Sequence, residues 1–129
     1  MQAEPQPQFA AWVSELRAKH GLGPVRMNAK LMEAAERHAQ DMAKRGIFSH
    51  TGSNGSKIGT RAKRAGYRYC KIGENIAMGQ KTAQAAMKAW EMSAGHLKNM
   101  LKRGVTEIGV ARSSENHWVL VVAGRLGSC

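Results

Sequence analysis

The run Trp118-Val119-Leu120-Val121-Val122-Ala123 constrains this chain most. It is too apolar for an exposed segment and far too short to span a bilayer, so it predicts a buried strand. Just ahead of it, Ser113-Ser114-Glu115-Asn116 is a tight-turn sequence, and Glu107-Ile108-Gly109-Val110-Ala111-Arg112 has strand character on the far side. Together they predict an antiparallel hairpin. The upstream segments are dominated by helical spacing, without repeats or low-complexity tracts. Helices early and a hairpin late argue for an α+β fold and against a parallel doubly wound sheet.

Phe9, Trp12, Val13 and Leu16 recur at spacings of three and four, which predicts a first helix ending at His20-Gly21, with Gly23-Pro24 as the break. Asn28 is placed to cap a second helix that runs through Arg45 and stops at Gly46. Leu31, Ala35, His38, Ala39 and Met42 share one face of it, so His38 reads as a core histidine with one hydrogen-bonded nitrogen. Thr51 to Ser56 is a run of turn formers and hence a loop, without the Gly-Lys-Ser/Thr ending of a phosphate loop. Ile58 to Ala65 reads as a short basic helix closed by Gly66, and Tyr67 to Ala77 as an extended segment interrupted at Gly73. Thr82 is placed to cap a further helix with Ala86, Met87 and Trp90 inward and Gly95 at its end; Met87 and Met100 read as core filler, not soft-metal ligands.

A chain of 129 residues is one domain of ordinary size, and its 43% apolar content falls in organised clusters, which argues against disorder. The formal net charge is +11, with six cations inside residues 57–71: Lys57, Arg61, Lys63, Arg64, Arg68 and Lys71. That balance points to anionic partners, either lipid headgroups or acidic envelope polymers. Nucleic acid is disfavoured, because the seven aromatic residues are not interleaved with the basic cluster and no reading motif is present. Residues 1–8 are polar and proline-containing, with no apolar core; they read as the frayed lead of a mature secreted chain, not as a signal peptide. Cys70 and Cys129 are idle thiols in a reducing cell, whereas in an oxidising compartment an even count suggests a bridge.

Three segments carry the chemistry: Phe48-Ser49-His50-Thr51-Gly52, Gly73-Glu74-Asn75-Ile76-Ala77, and Ser93-Ala94-Gly95-His96-Leu97-Lys98-Asn99-Met100-Leu101. Two imidazoles and one carboxylate in segments able to converge form a ligand set for a divalent ion, or a group that shares a proton. In this order and spacing the segments resemble the CAP superfamily, the cysteine-rich secretory, antigen 5 and pathogenesis-related 1 proteins. The bacterial single-domain branch is the nearest counterpart, and the resemblance runs from about Phe9 to Leu126. It implies a three-layer α-β-α sandwich with a small central antiparallel sheet, one domain over residues 9–129, and a strand near Ile72–Met78 beside the C-terminal hairpin. In that sheet Cys70 leads into the Gly-Glu-Asn strand and Cys129 trails the hairpin, so a Cys70–Cys129 disulfide is predicted.

The same resemblance matches His50 and His96 to the two cleft histidines of the family, and Glu74 to its Gly-Glu-Asn glutamate. The family's second glutamate, commonly three residues after a tryptophan, falls on Ser93 when counted from Trp90. This departure removes one carboxylate and undermines a two-carboxylate acid/base mechanism, leaving the Ser93 hydroxyl behind the cleft. Glu107, which opens a strand, suits a surface or edge carboxylate better than a replacement. His50, Glu74 and His96 are then the candidate ligands for Zn²⁺ or another divalent cation. In the competing architectural reading, Glu74 accepts hydrogen bonds from His50 and loop N–H groups and locks two loops together. Ser49 and Ser93 lie beside the histidines, but without a Gly-x-Ser-x-Gly elbow or an orienting acid no catalytic residue is assigned.

The resemblance thus implies a secreted or periplasmic binding protein more than an enzyme. Its expected ligand is a lipid or another envelope component, and its expected partner an anionic lipid or polymer surface. The alternatives are a metal-dependent hydrolase using His50, Glu74 and His96, and a structural or interaction module of the cell envelope.

Overall fold

The computed structural model describes residues 3–129. In chain order the elements are β1 (Ala3–Pro5), α1 (Phe9–Lys19), β2 (Arg26–Met27), α2 (Ala29–Arg45), α3 (Ile58–Arg64), β3 (Tyr69–Met78), α4 (Ala83–Glu91), α5 (Ala94–Met100), β4 (Glu107–Ser113) and β5 (His117–Arg125). The strands lie in the order β1-β4-β5-β3, with the two-residue β2 pairing in parallel beside the start of β4. All other pairings are antiparallel.

The predicted hairpin is β4–β5, and its tight turn carries Asn116 at positive φ. β5 is apolar at successive positions because both its faces are covered. Trp118, Leu120 and Val122 pack with Phe9, Val13, Met87, Trp90 and Met100 from α1, α4 and α5. Val119, Val121 and Ala123 pack with Leu31, Ala35, Ala39 and Met42 of α2 and Ala62 of α3. Period-2 alternation therefore sends neighbouring side chains into two cores, and the result is a three-layer α-β-α sandwich.

Several elements form for the reasons visible in the sequence. The Asn28 side chain accepts hydrogen bonds from the N–H groups of Lys30 and Leu31, capping α2, and Gly46 ends it in the left-handed conformation. Thr82 caps α4 by accepting from the Ala85 N–H. α2 lies directly on β4 at Gly109, where a methyl group would fall onto the Leu31 carbonyl carbon. Cys70 and Cys129 form the predicted disulfide, with Cα atoms 6.1 Å apart.

Three expectations need correction. The lead is not frayed from residue 3 onward: β1 pairs with Ala111–Ser113 of β4, and Gln6 N–H donates to the Val110 carbonyl. Met1 and Gln2 lie outside the described residues. Gly73 does not interrupt β3, which runs on to Met78; its bare Cα makes room for the Asn99 side chain. Gly95 does not end α4, which stops by Met92; it sits in the first turn of a separate helix, α5, anchored inward by Met100. The sequence reading leaves out one core residue: Arg17 is buried on the stripe of Phe9 and Val13, where its guanidinium donates to the carbonyls of Gly23, Met100, Lys102 and Val105. It clamps the 101–106 connection to α1.

Candidate functional site

β3 is an edge strand, and two of its neighbouring residues hold the cleft together from opposite faces of the sheet. Glu74 belongs to the face shared with Ile76 and α3. Its Oε1 accepts from His50 Nδ1 at 2.8 Å, and its Oε2 accepts from Arg61 Nη2 at 2.7 Å. Arg61 also donates to the carbonyls of His50 (3.0 Å) and Ser56 (2.6 Å), so one guanidinium fixes both ends of the 50–56 loop. With its Nδ1 donating to Glu74, the neutral His50 ring keeps its proton there and presents a free Nε2 lone pair. The ring is half exposed (56%), while Glu74 is buried.

Asn75, one residue on, faces the α4–α5 layer. Its Nδ2 donates to the His96 carbonyl at 3.0 Å, while Asn99 Nδ2 donates to the Glu74 carbonyl and to Asn75 Oδ1. These bonds pin α5, and so His96, against the strand edge. His96 Nδ1 is buried without a protein partner. Its imidazole is held below the ordinary His pKa, first by burial and then by the charge of nearby His50. The structure thus brings His50, Glu74 and His96 together. Ser93 stands at the N-cap position of α5 without making a side-chain cap, and its carbonyl accepts the Leu97 N–H.

A sequence model described as the cysteine-rich secretory protein family (CAP) matches residues 11–123. The chain belongs to the CAP family. Among curated relatives, it is 39% identical over 94 residues to the protein YkwD of Bacillus subtilis, covering 73% of this chain and 37% of that protein. It is 29% identical over 110 residues to the membrane protein YlbC of the same organism, covering 85% of this chain and 32% of that one. The chain therefore spans about a third of the length of these relatives. An extracellular Bacillus anthracis protein containing an SCP domain superposes with a TM-score of 0.87 at 26% identity, over 92% of this chain and 39% of that one. An outer surface protein of Borrelia burgdorferi shares the fold with a TM-score of 0.81 at 20% identity, over 92% and 90% of the two chains. Among the described residues, no helix is long and apolar enough to cross a membrane.

Within this CAP fold, the donor set decides what the cleft can do. Glu74 has one oxygen on Arg61 and the other on His50, which makes it an orienting group more than a metal ligand. Among the described residues, no group of three or more His, Cys, Asp or Glu side chains is placed to hold a metal ion. The imidazoles of His50 and His96 are then the remaining candidate donors at the cleft. Two donors fall short of the three protein ligands that a hydrolytic zinc centre uses beside its open position. Among the described residues, no second carboxylate joins the His50–Glu74–Arg61 network.

Glu107 lies in another network and is not a surface carboxylate. It is buried and accepts from Tyr67 Oη (2.8 Å), Asn28 Nδ2 (3.1 Å) and Arg125 Nη2 (3.2 Å). Burial alone would raise its pKa, but the hydrogen bonds from Tyr67 and Asn28 and the charge of Arg125 hold it below the usual carboxylate range. The residue missed by sequence reasoning is Arg61, which was counted with the solvated basic cluster. Its signal is spacing: Ile58, Arg61 and Ala62 share the inward face of α3.

Proposed function

We propose that this chain is a secreted or periplasmic binding domain that attaches to anionic envelope surfaces, with the His50–His96 cleft as a point of ligand recognition and not of acid/base catalysis. One observation carries this reading: the cleft carboxylate is neutralised internally by Arg61, while Lys57, Lys63, Arg64, Arg68 and Lys71 of the 57–71 segment stay exposed. Five of the six cations in this segment thus stay exposed to solvent. Each Lys or Arg near an anionic bilayer contributes about 1 kcal/mol, enough in aggregate for measurable association. The extracellular and outer-surface descriptions of the neighbours and the Cys70–Cys129 bridge support the location.

An apolar ligand would be held separately, in the groove of about 410 Å³ between α1 and α4. Trp12, Leu16 and Met87 line it beside Lys19 and Lys88. Sedimentation with liposomes containing or lacking phosphatidylglycerol, at low salt and at about 0.5 M salt, tests the surface reading. Expected is co-sedimentation with the anionic vesicles only, lost at high salt. Equal binding to both vesicle types, or indifference to salt, would overturn it.

A further inference from the structure

Where α2 begins, an open pocket of about 420 Å³ is lined by Lys30, Arg68 and Arg125, with Ala29, Tyr67 and Leu126 completing its wall. It shares no residue with the hydrogen-bond network of His50, Glu74 and His96. Two of its walls are tied together. The Leu126 N–H donates to the Arg68 carbonyl at 2.9 Å, and the Cys70–Cys129 bridge joins the same two segments just beyond. Gly66 sets the third wall, because its missing side chain leaves room for the Lys30 stem. A methyl built there would meet Lys30 Cε at 3.6 Å and Nζ at 3.8 Å.

The charges here do not cancel. The lining holds three cations and no acidic residue. Arg125 donates through Nη2 to Glu107 at 3.2 Å, and that carboxylate is shared with Arg26 at 4.0 Å. Four cations thus face one carboxylate, which is buried and already accepts from Tyr67 and Asn28. The Arg125 side chain is 60% exposed, so Glu107 holds one edge of the guanidinium and leaves the rest open. Lys30 and Arg68 are exposed and make no ion pair among the described residues. Glu33, one turn along α2 from Lys30, is engaged with Arg37. The Asn28 side chain is spent on the N–H groups of Lys30 and Leu31 and on Glu107. The side chains left free for a ligand are therefore positively charged donors.

That surplus favours an acceptor carrying more than one negative charge, and two planar guanidinium forks suit the oxygens of a phosphoryl group. The positive end of the α2 dipole acts in the same direction. The volume falls within the roughly 300–1,000 Å³ of small-molecule sites, more than a bare ion fills. Leu126, exposed beside Ala29, offers an apolar rim to an attached carbon group.

We propose that this pocket binds the dianionic phosphoryl group of a small phosphate monoester. Lys30, Arg68 and Arg125 surround its oxygens, and its carbon skeleton lies against Leu126 and Ala29. Arg68 also belongs to the basic segment assigned to surface attachment, but Lys30 and Arg125 do not, and soluble probes keep the two readings separable.

The test is an NMR titration of the ¹⁵N-labelled protein at constant ionic strength and about pH 7.5, above the second phosphate pKa near 6. Glycerol phosphate, inorganic phosphate and acetate are added separately while the amides of Ala29, Gly66 and Leu126 are followed. Expected are saturable shifts with glycerol phosphate, weaker binding of inorganic phosphate, and acetate at least about tenfold weaker than the monoester. Lys30→Gln and Arg68→Gln, at exposed positions, should each weaken glycerol phosphate by about fivefold or more. Arg64→Gln removes the same charge outside the lining and should change that affinity by less than about twofold. Tighter inorganic phosphate would overturn the monoester and leave the free ion as occupant. Equal affinity for acetate, an equal loss in Arg64→Gln, or no saturable shift with either phosphate species would reduce the pocket to diffuse attraction and overturn the proposal.

Discussion

Arg61 and Glu74 form a buried ion pair, Nη2 to Oε2 at 2.7 Å, with side chains 7% and 2% exposed. It joins α3 to the edge strand β3, and through His50 it also fixes the loop between α2 and α3. Architecture and recognition thus share one carboxylate: the group that orients the exposed imidazole is the group that locks the loop.

Removing one partner of such a pair leaves an uncompensated buried charge. Arg61→Met is expected to destabilise the fold by about 3–5 kcal/mol, read as a lowered urea midpoint. Adding Glu74→Leu to that variant should recover much of the loss, because the stranded carboxylate is then gone. A cost below about 1 kcal/mol for Arg61→Met would show that the pair behaves as an exposed one.

Zn²⁺ is expected to bind with moderate affinity between His50 and His96, since two imidazoles without a free carboxylate oppose little of its charge. Calorimetry should show binding abolished in the His50→Ala, His96→Ala double variant. Glu74→Gln should weaken it by roughly 10–100-fold, the usual effect of losing an orienting partner. Affinity should fall on acidification as His96, held below the ordinary His value by burial, takes up a proton. Undiminished binding by the double variant would place the metal elsewhere.

The elements legible in the sequence were those whose stabilising signals are local: the caps at Asn28 and Thr82, the glycine stop of α2, and the alternation and turn of β4–β5. The pieces that escaped depend on distant partners. β1 and β2 are too short for any period and exist because β4 offers free backbone groups beside them. α5 has glycine in its first turn, which local propensity counts as a break; Met100 in the core and Asn99 on β3 outweigh that cost. The cleft trio was legible as three motifs, but the commitment of Glu74 was not, because Arg61 looks like one more surface cation until α3 is docked.

The Cys70–Cys129 bridge closes a separation of 59 residues. In the chain-entropy account this stabilises the fold by about 4 kcal/mol. Thiol titration of denatured, unreduced protein should give close to zero, and Cys70→Ser with Cys129→Ser should lower Tm by several degrees. Two titratable thiols would refute the bridge.

Gly109→Ala is expected to be among the most damaging single changes in the sheet. The added methyl meets α2 backbone at Leu31, and backbone cannot rotate aside as a side chain can. Separation of α2 from β4 should cost about 3 kcal/mol, or prevent folding. Gly95→Ala, where a methyl meets nothing within 4 Å, is the control and should be neutral or stabilising within α5. Comparable denaturation midpoints for the two variants would contradict the close approach of α2.

Stability should fall in two stages on acidification, and the sign follows from the direction of each shift. His38, His96 and His117 are each held below the ordinary His value by burial, with the charge of His50 adding to the effect on His96. Between the depressed native values and about 6.5, the unfolded chain binds protons that the native protein refuses, so acid favours unfolding. Their contribution is therefore complete above about pH 6.5 and declines as pH falls below it. Asp41 and Glu107 are shifted downward as well, in each case because hydrogen bonds outweigh the opposing effect of burial. As carboxylates they stabilise the fold above their unfolded pKa values, near 4, and that contribution is lost only at lower pH. Urea midpoints at pH 7.5, 6.0, 5.0 and 3.5, values chosen about these ordinary pKa values, should step down across both windows. His38→Gln keeps the donor to Ser49 without a titrating ring, so it should shrink the first step, leaving the His96 and His117 share, and leave the second unchanged. A midpoint constant from pH 7.5 to 5.0 would show that these histidines protonate without cost in the folded protein.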